Sequence, residues 1–506
     1  MQLQEMNRSD SNITEVDVTV VGSGFAGTIA AMCLKQMGYS VAVIERGKHP
    51  RFSIGESSTP IADMILRTLS ESYNLPFLKT MSRYGTWQKH HPDVVCGLKR
   101  GFSYYPHKKG EWFESNAGHE NELLVAASFD DENSDTNWLR SDTDHFLAKK
   151  VVELGVELWE ESEVTSAERE NGNWNLHYQK GGKTFSIQSK WIIDATGSSH
   201  FSNTFFGANS SPDGFETNSS AVFTHFENAG HWLDYLTQNE FNTNDYPYNP
   251  DHSALHQLIE EGWIWMLRFN NDRLSVGIVT DHNSHVINEE LAQYWNEIIS
   301  QYPSVEKIFD NAQLTPVPGR FIHSGRLQRK LNKSYGDGWF ALSHTYGFVD
   351  PLHSTGIAYS LCGVERILSQ FKQRKFSNSE NIISQDKLDK ELRLIDKIVS
   401  SSYLSRPHFK LFGASVMLYF ITSIRYEQSR LRGEIPDTFL CAGDSDLIAI
   451  VEETHSDIKK WNRSGRDPQA AESLISVIRK RIAPYNPVGL MDPAKKNMYS
   501  HTAIEL

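Results

Sequence analysis

A run of β-branched residues from Val16 to Val21 leads directly into Gly22-Ser23-Gly24-Phe25-Ala26-Gly27, and this junction constrains the fold more than any other feature of the chain. An apolar stretch follows and stops at Gly38, and Val41-Ala42-Val43-Ile44 ends at Glu45, about 20 residues beyond the glycines. The pattern predicts strand, glycine turn, helix and parallel strand, the unit that binds dinucleotides. Gly22 permits the tight turn, Gly24 lets the backbone approach a pyrophosphate, and Gly27 lets the helix pack closely on the strand. Amides at the helix start, around Phe25 and Ala26, face the phosphates. Glu45 is placed to accept hydrogen bonds from a ribose, with Arg46 beside it.

Three later blocks narrow the choice of dinucleotide. Gly55-Glu56-Ser57-Ser58-Thr59-Pro60 comes soon after Glu45, Trp191-Ile192-Ile193-Asp194-Ala195-Thr196-Gly197 lies far downstream, and Asp350-Pro351-Leu352-His353-Ser354-Thr355-Gly356-Ile357 lies farther still. A nicotinamide dehydrogenase needs none of them. Their order resembles the FAD-binding fold of aromatic monooxygenases and, more closely, the flavin-dependent halogenases, which carry G-E-x-x-x-P and a late P-x-x-S-x-G. The resemblance covers roughly the first three quarters of the chain. It implies FAD as cofactor and puts Glu56, Ser57, Asp194, Asp350, Ser354, Thr355, Gly356 and Ile357 around it. It further implies that the Thr355 and Gly356 amides bind halide, and that Arg140, near the start of a helix, lies against the flavin; a surface ion pair is the alternative for Arg140.

With 506 residues, 39% of them hydrophobic, the chain has material for a large core in two or three lobes. A net charge of −13 with no long Lys/Arg run argues against a nucleic-acid partner. The first fifteen residues lack the apolar centre of a signal peptide, and the longest apolar tract, near Leu411 to Ile421, is too short for a bilayer and is broken by Gly413 and Ser415. A cytoplasmic protein without a membrane segment is expected. The four cysteines show no metal-type spacing, so reduced thiols and no metal are expected; Cys33 and Cys362 read as core, and Cys96 lies beside a candidate catalytic segment.

The fold class expected is α/β: a Rossmann-like FAD-binding domain with an inserted antiparallel-sheet substrate domain and a C-terminal helical lobe. The division places residues 1–60, 140–200 and 320–375 in the first, 61–139 and 201–319 in the second, and 376–506 in the third. Hairpin turns at Asn171-Gly172 and Gly181-Gly182 predict a three-stranded meander feeding a parallel strand at Trp191 to Asp194. Strands are expected at Ser219–Phe226, Trp263–Phe269 and Leu274–Val279, roofing the flavin, and the stretch from Lys108 to Asn137 reads as largely polar.

Flavin enzymes that attack electron-rich aromatics need a dry site with an acid or amine near the oxidant. Phenol and pyrrole halogenases carry a lysine in K-x-G-x-x-F-x-W. This chain has Lys99-Arg100-Gly101-Phe102-Ser103-Tyr104-Tyr105-Pro106, which matches at Lys99 and Gly101, approximately at Tyr104, and not at Pro106. Lys79 falls too early to compete. Halogenases also carry W-x-W-x-I-P across the passage from flavin to substrate, and here Trp263-Ile264-Trp265 is followed by Met266-Leu267-Arg268. Tryptophan halogenases have a glutamate where His353 stands, and a histidine there is a candidate acid or base; His344 is a weaker candidate.

The expected catalytic set is therefore Lys99, His353, Trp263 and Trp265. The expected activity is FAD-dependent oxidation or hydroxylation of an electron-rich aromatic, an indole or phenol. The substrate is a small molecule or a tryptophan within a partner protein during tryptophylquinone formation, and the flavin is reduced by a separate reductase or by NAD(P)H visiting transiently. Arg268 in place of the proline tips the reading toward oxygen insertion. Halogenation of an aromatic small molecule is the alternative, and a flavin-linked alkene reductase or a non-enzymatic flavin-binding module are the remaining ones.

Overall fold

The computed structural model describes residues 13–283, 285–287, 290–374 and 384–502. The polar leader up to residue 12 and the boundary expected near residue 376 lie outside them.

The glycine unit forms as the sequence implies: strand Thr14–Val21, helix Phe25–Gln36 and strand Val41–Ile44. The first strand lies between Lys183–Asp194 and Val41–Ile44, parallel to both, and Glu157–Trp159 and Trp339–Ala341 extend the sheet on either side. Buried on both faces, this strand is a continuous apolar run from Val18 to Val21 interrupted only by Thr19. The last strand of the meander and the parallel strand turn out to be one twelve-residue strand, Lys183–Asp194. Its first half pairs antiparallel with Asn173–Lys180, while Ile187 to Asp194 run parallel to Thr14–Val21. The carboxyl ends of the parallel strands thus bring four segments to one edge, where such sheets bind ligands: the glycine turn, the loop after Ile44, Ala195-Thr196-Gly197, and the chain after Ala341.

A second, nine-stranded sheet contains Ser219–Glu227, Leu274–Asp281, Gly262–Arg268 and Ala254–Leu258, followed by Gly101–Pro106, Leu123–Ala126 and, at one margin, Met498–Tyr499. The expected polar stretch after Lys108 therefore contributes two strands, Leu123–Ala126 and Asp135–Trp138. The latter pairs antiparallel with Cys96–Lys99 and sets Asp135 opposite Lys99.

The four long helices after residue 384 do not carry a core of their own. Gln385–Ser405, Phe409–Leu431, Ser445–Arg463 and Pro468–Ile482 share one hydrophobic core with the parallel sheet. The tract around Leu411 to Ile421 lies in Phe409–Leu431 and is buried almost throughout. Among the described residues no helix is long and apolar enough to cross a membrane.

Candidate active site

The glycine turn is built by close approach. Gly22 has φ +102°, and a Cβ there would come within 2.7 Å of the Ala195 carbonyl oxygen; at Gly27 it would lie 2.1 Å from the Gly22 carbonyl oxygen. Gly24 differs, because its nearest neighbour would be the tip of Arg140 at 3.4 Å, so the space in front of it is open. Phe25 is buried edge-on against Trp138, and Ala26 stays half-exposed at the helix start.

Glu45 is buried and accepts from the Ser23 amide, the Ser23 hydroxyl, the Gly47 amide and Arg51. Against the pull of burial, the Arg51 guanidinium and these amides hold its carboxyl below the usual carboxylate range. Ser23 also bonds His49 at 2.7 Å. Ser23, His49 and Arg51 were not singled out from the sequence, although a cation six residues after the acid was visible there. Arg46 itself points to solvent.

Arg140 is not in a surface pair. It grips Asp144 through two nitrogens, donates to the Ile54 and Gly55 carbonyls, and lies over the Phe25 ring at 4.8 Å. Glu56 lies 3.0 Å from His225, and Ser57 bridges to Asn137. Thr355 caps the helix Gly356–Gln373, Ser354 before it adopts φ +51°, and Ile357 is buried in the first turn. His344 lies beside both Gly197 and Gly356, and burial with the nearby Arg329 and Arg140 pushes its pKa down to about 3.

Asp194 and Asp350 have mainly structural partners. Asp194 accepts from Thr196 and Ser202, and Asp350 from Ser219, Tyr403 and the Leu352 amide, with burial raising Asp350 to about 6. Other buried polar atoms at this edge have no partner among the described residues, namely Ser57 Oγ, His49 Nδ1, Arg51 Nε and His344 Nδ1. An edge with open glycine backbone, a helix start and orphaned donors fits a dinucleotide that supplies the missing acceptors.

The expected catalytic side chains meet one layer away. Lys99 is fully buried, donates to the Ser58 carbonyl in the G-E-S-S-T-P block, and sits over the Phe102 ring at 4.1 Å. From Phe102, ring contacts run to Tyr419 at 5.7 Å and on to His353 at 4.9 Å. Another branch runs from Phe102 to His256 at 6.2 Å, then to Trp263 at 5.1 Å and Trp265 at 6.3 Å. Trp263 donates to Tyr403 and Trp265 to Ser275. Burial, opposed by Asp135 and Asp63, brings Lys99 down to about 8. His353 is pushed down to about 3 by burial and by His256, so it is a neutral imidazole at working pH and has no imidazolium proton to give. Both its ring nitrogens lack partners among the described residues.

Three sequence candidates lie elsewhere. Lys79 is an exposed partner of Glu71. Burial pushes the Cys96 thiol up to about 12, which leaves it inert. Arg268 is not in the passage between flavin and substrate: its side chain emerges on the sheet face opposite Trp263 and Trp265 and donates to the Ala229 and Gly230 carbonyls. The ground for preferring oxygen insertion therefore falls away.

Comparison with known proteins gives the family. The FAD dependent oxidoreductase family matches residues 17–213, so that fold and glycine cradle together define an FAD-dependent oxidoreductase. The tryptophan halogenase family matches residues 140–407, more than half of the 506, and the chain belongs to that family. It is 24% identical to the monodechloroaminopyrrolnitrin halogenase PrnC of Pseudomonas fluorescens, over 95% of this chain and 87% of that protein. It is 23% identical to the tetracycline 7-halogenase of Kitasatospora aureofaciens, over 81% and 73%. Among solved structures, halogenase PltM in complex with phloroglucinol and FAD superposes with a TM-score of 0.82 at 19% identity, over 96% of this chain and 99% of that one. The last likeness is one of fold.

Proposed function

We propose that this enzyme is a flavin-dependent halogenase of an electron-rich aromatic small molecule. The observation that carries the reading is the buried Lys99 amine, held between the Ser58 carbonyl and the Phe102 ring at the end of an aromatic-walled interior. Likeness over most of both chains to a monodechloroaminopyrrolnitrin halogenase supports halogenation over oxygen insertion, and phloroglucinol in the fold relative supports a phenol-like ring. A tryptophan within a folded partner protein is disfavoured by burial, since Lys99, Trp263 and His353 are each at most 2% exposed.

Bound at the glycine edge, reduced FAD would supply, with O2 and halide, an electrophilic halogen as hypohalous acid. Gly22, Gly24, Gly27, Glu45, Arg51 and Arg140 would hold the cofactor, with the Thr355 and Gly356 amides offering a halide its positive helix end. The Lys99 ammonium would hydrogen-bond the oxygen of the hypohalous acid and aim the halogen at the ring carbon, a charge-assisted contact strengthened by the dry surroundings. Neutral His353 and the tryptophans would wall the route and exclude water. Reduced flavin would come from a separate reductase, and the four buried, unbridged cysteines suit a cytoplasmic setting.

The test is turnover of phloroglucinol and of a pyrrole with a flavin reductase, NADH, O2 and bromide. A brominated product that requires all of these, and that Lys99→Met abolishes, is expected. Oxygenated product formed equally without bromide would refute the proposal.

A further inference from the structure

Behind Lys99 lie two carboxyl groups that the proposed chemistry has not yet used. Asp63, from the first turn of helix Pro60–Tyr73, and Asp135, opposite Lys99 in the paired strands, are 4% and 1% exposed and hydrogen-bond each other. Ser58 links the groups, because its hydroxyl donates to Asp63 while its carbonyl accepts from Lys99. Two interacting carboxyls buried together oppose each other's ionisation, which favours a pair that retains one proton and carries one negative charge.

We propose that Asp63 and Asp135 act as a one-proton dyad, a pair of positioning residues whose single shared charge keeps Lys99 an ammonium and whose link through Ser58 aims it. The proposal rests on Lys99 being the reacting amine. The proton sits on Asp63, raised by burial and by Asp135, and the charge sits on Asp135, where Lys99 opposes the effect of burial. Other groups facing the set do not replace it. Arg67 favours the charged form of both carboxyls, burial and the neighbouring Lys99 keep His256 neutral so that it adds no charge, and Tyr419 and Glu427 approach from helix Phe409–Leu431. A cleft of about 210 Å³ with the exposed Phe129 and Asn133 among its lining residues is also lined by both aspartates, which gives the dyad, and through it Lys99, a path for proton exchange with solvent.

A shared proton gives the variants an unusual pattern. Asp63→Asn or Asp135→Asn removes the protonatable partner but leaves one carboxylate, so the charge facing Lys99 persists. Only the double variant removes it. The experiment is a pH titration of FAD-loaded protein carrying 13Cε-labelled lysine, with the Lys99 signal assigned by its absence in Lys99→Met, alongside kcat and KM across pH. Each single variant is expected to move the Lys99 midpoint by less than about 0.5 unit, and the double variant to lower it by about 1 to 2 units. The alkaline limb of kcat should follow by the same amount, giving about a tenfold loss near pH 7.5 with KM unchanged.

A midpoint in the double variant equal to that of wild type, or shifts that simply add from the singles, would overturn the dyad. If the double variant does not fold, infrared difference spectra of wild type against each single variant decide instead: a protonated carboxyl band at neutral pH is expected in wild type and lost in both, and its absence overturns the proposal. A wild-type enzyme that makes no halogenated product refutes the proposed function, while the lysine titration still decides the dyad.

Discussion

Gly24 and Gly27, three residues apart in the same turn, should fail in different ways when a methyl is added. In Gly27→Ala the new Cβ would lie 2.1 Å from the Gly22 carbonyl oxygen and 3.0 Å from the Ala195 Cβ. An ordinary contact is near 3.4 Å, so helix and strand must part by about 1 Å, and overpacking of this kind costs about 1–3 kcal/mol. In Gly24→Ala the Cβ meets only the Arg140 tip at 3.4 Å and Asp144 at 3.9 Å, both side-chain atoms, so the fold should tolerate it. That methyl instead fills the space kept for the pyrophosphate. Losing close approach there should weaken FAD by roughly ten- to a hundredfold, about 1.4–2.8 kcal/mol. Apparent unfolding midpoints without flavin, with FAD titrations followed by fluorescence, separate the cases. Gly27→Ala should lose stability and Gly24→Ala only affinity; a Gly24→Ala protein that binds FAD like wild type would show that the cradle is wrongly placed.

Halogenation should fall about tenfold per pH unit above about pH 8 as Lys99 gives up its proton, read as product formed at saturating reduced flavin. That loss is not unfolding: the folded pKa of Lys99 lies below its unfolded value of 10.5, so between pH 8 and 10.5 the unfolded chain binds the extra proton and this group's contribution to stability rises with pH. Arg268→Met should leave product identity and halide dependence unchanged while costing about 1–3 kcal/mol in urea unfolding, because the Ala229 and Gly230 carbonyls lose their donor. Arg366→Ala should cost about 3–5 kcal/mol in the same assay, since Glu391, which also accepts from the Phe439 amide, is left charged and unpaired in the core.

Where structure depended on neighbours in sequence, it was legible. The glycine unit, the two hairpins and the strands around Trp263 follow from period and turn chemistry. Leu123–Ala126 was not legible, because its partners are Gly101–Pro106 and the distant Met498–Tyr499. Lys99 could be singled out by its partial match to K-x-G-x-x-F-x-W, whereas Asp63 and Asp135 belong to different elements and meet only on folding. Arg268 was misjudged although the signal was present. In a strand successive side chains alternate, and Arg268 stands an odd number of residues from both Trp263 and Trp265, which places it on the other face. His353 was legible in place and not in charge, since burial, which no motif records, sets its protonation.

Halogen transfer and oxygen insertion leave different atoms on the aromatic ring. Mass spectrometry of phloroglucinol or pyrrole products formed under 18O2, with and without bromide, separates them most directly. A brominated product whose yield follows bromide and which contains no 18O is expected. Product carrying 18O on the ring, formed at the same rate whether or not bromide is present, would contradict halogen transfer.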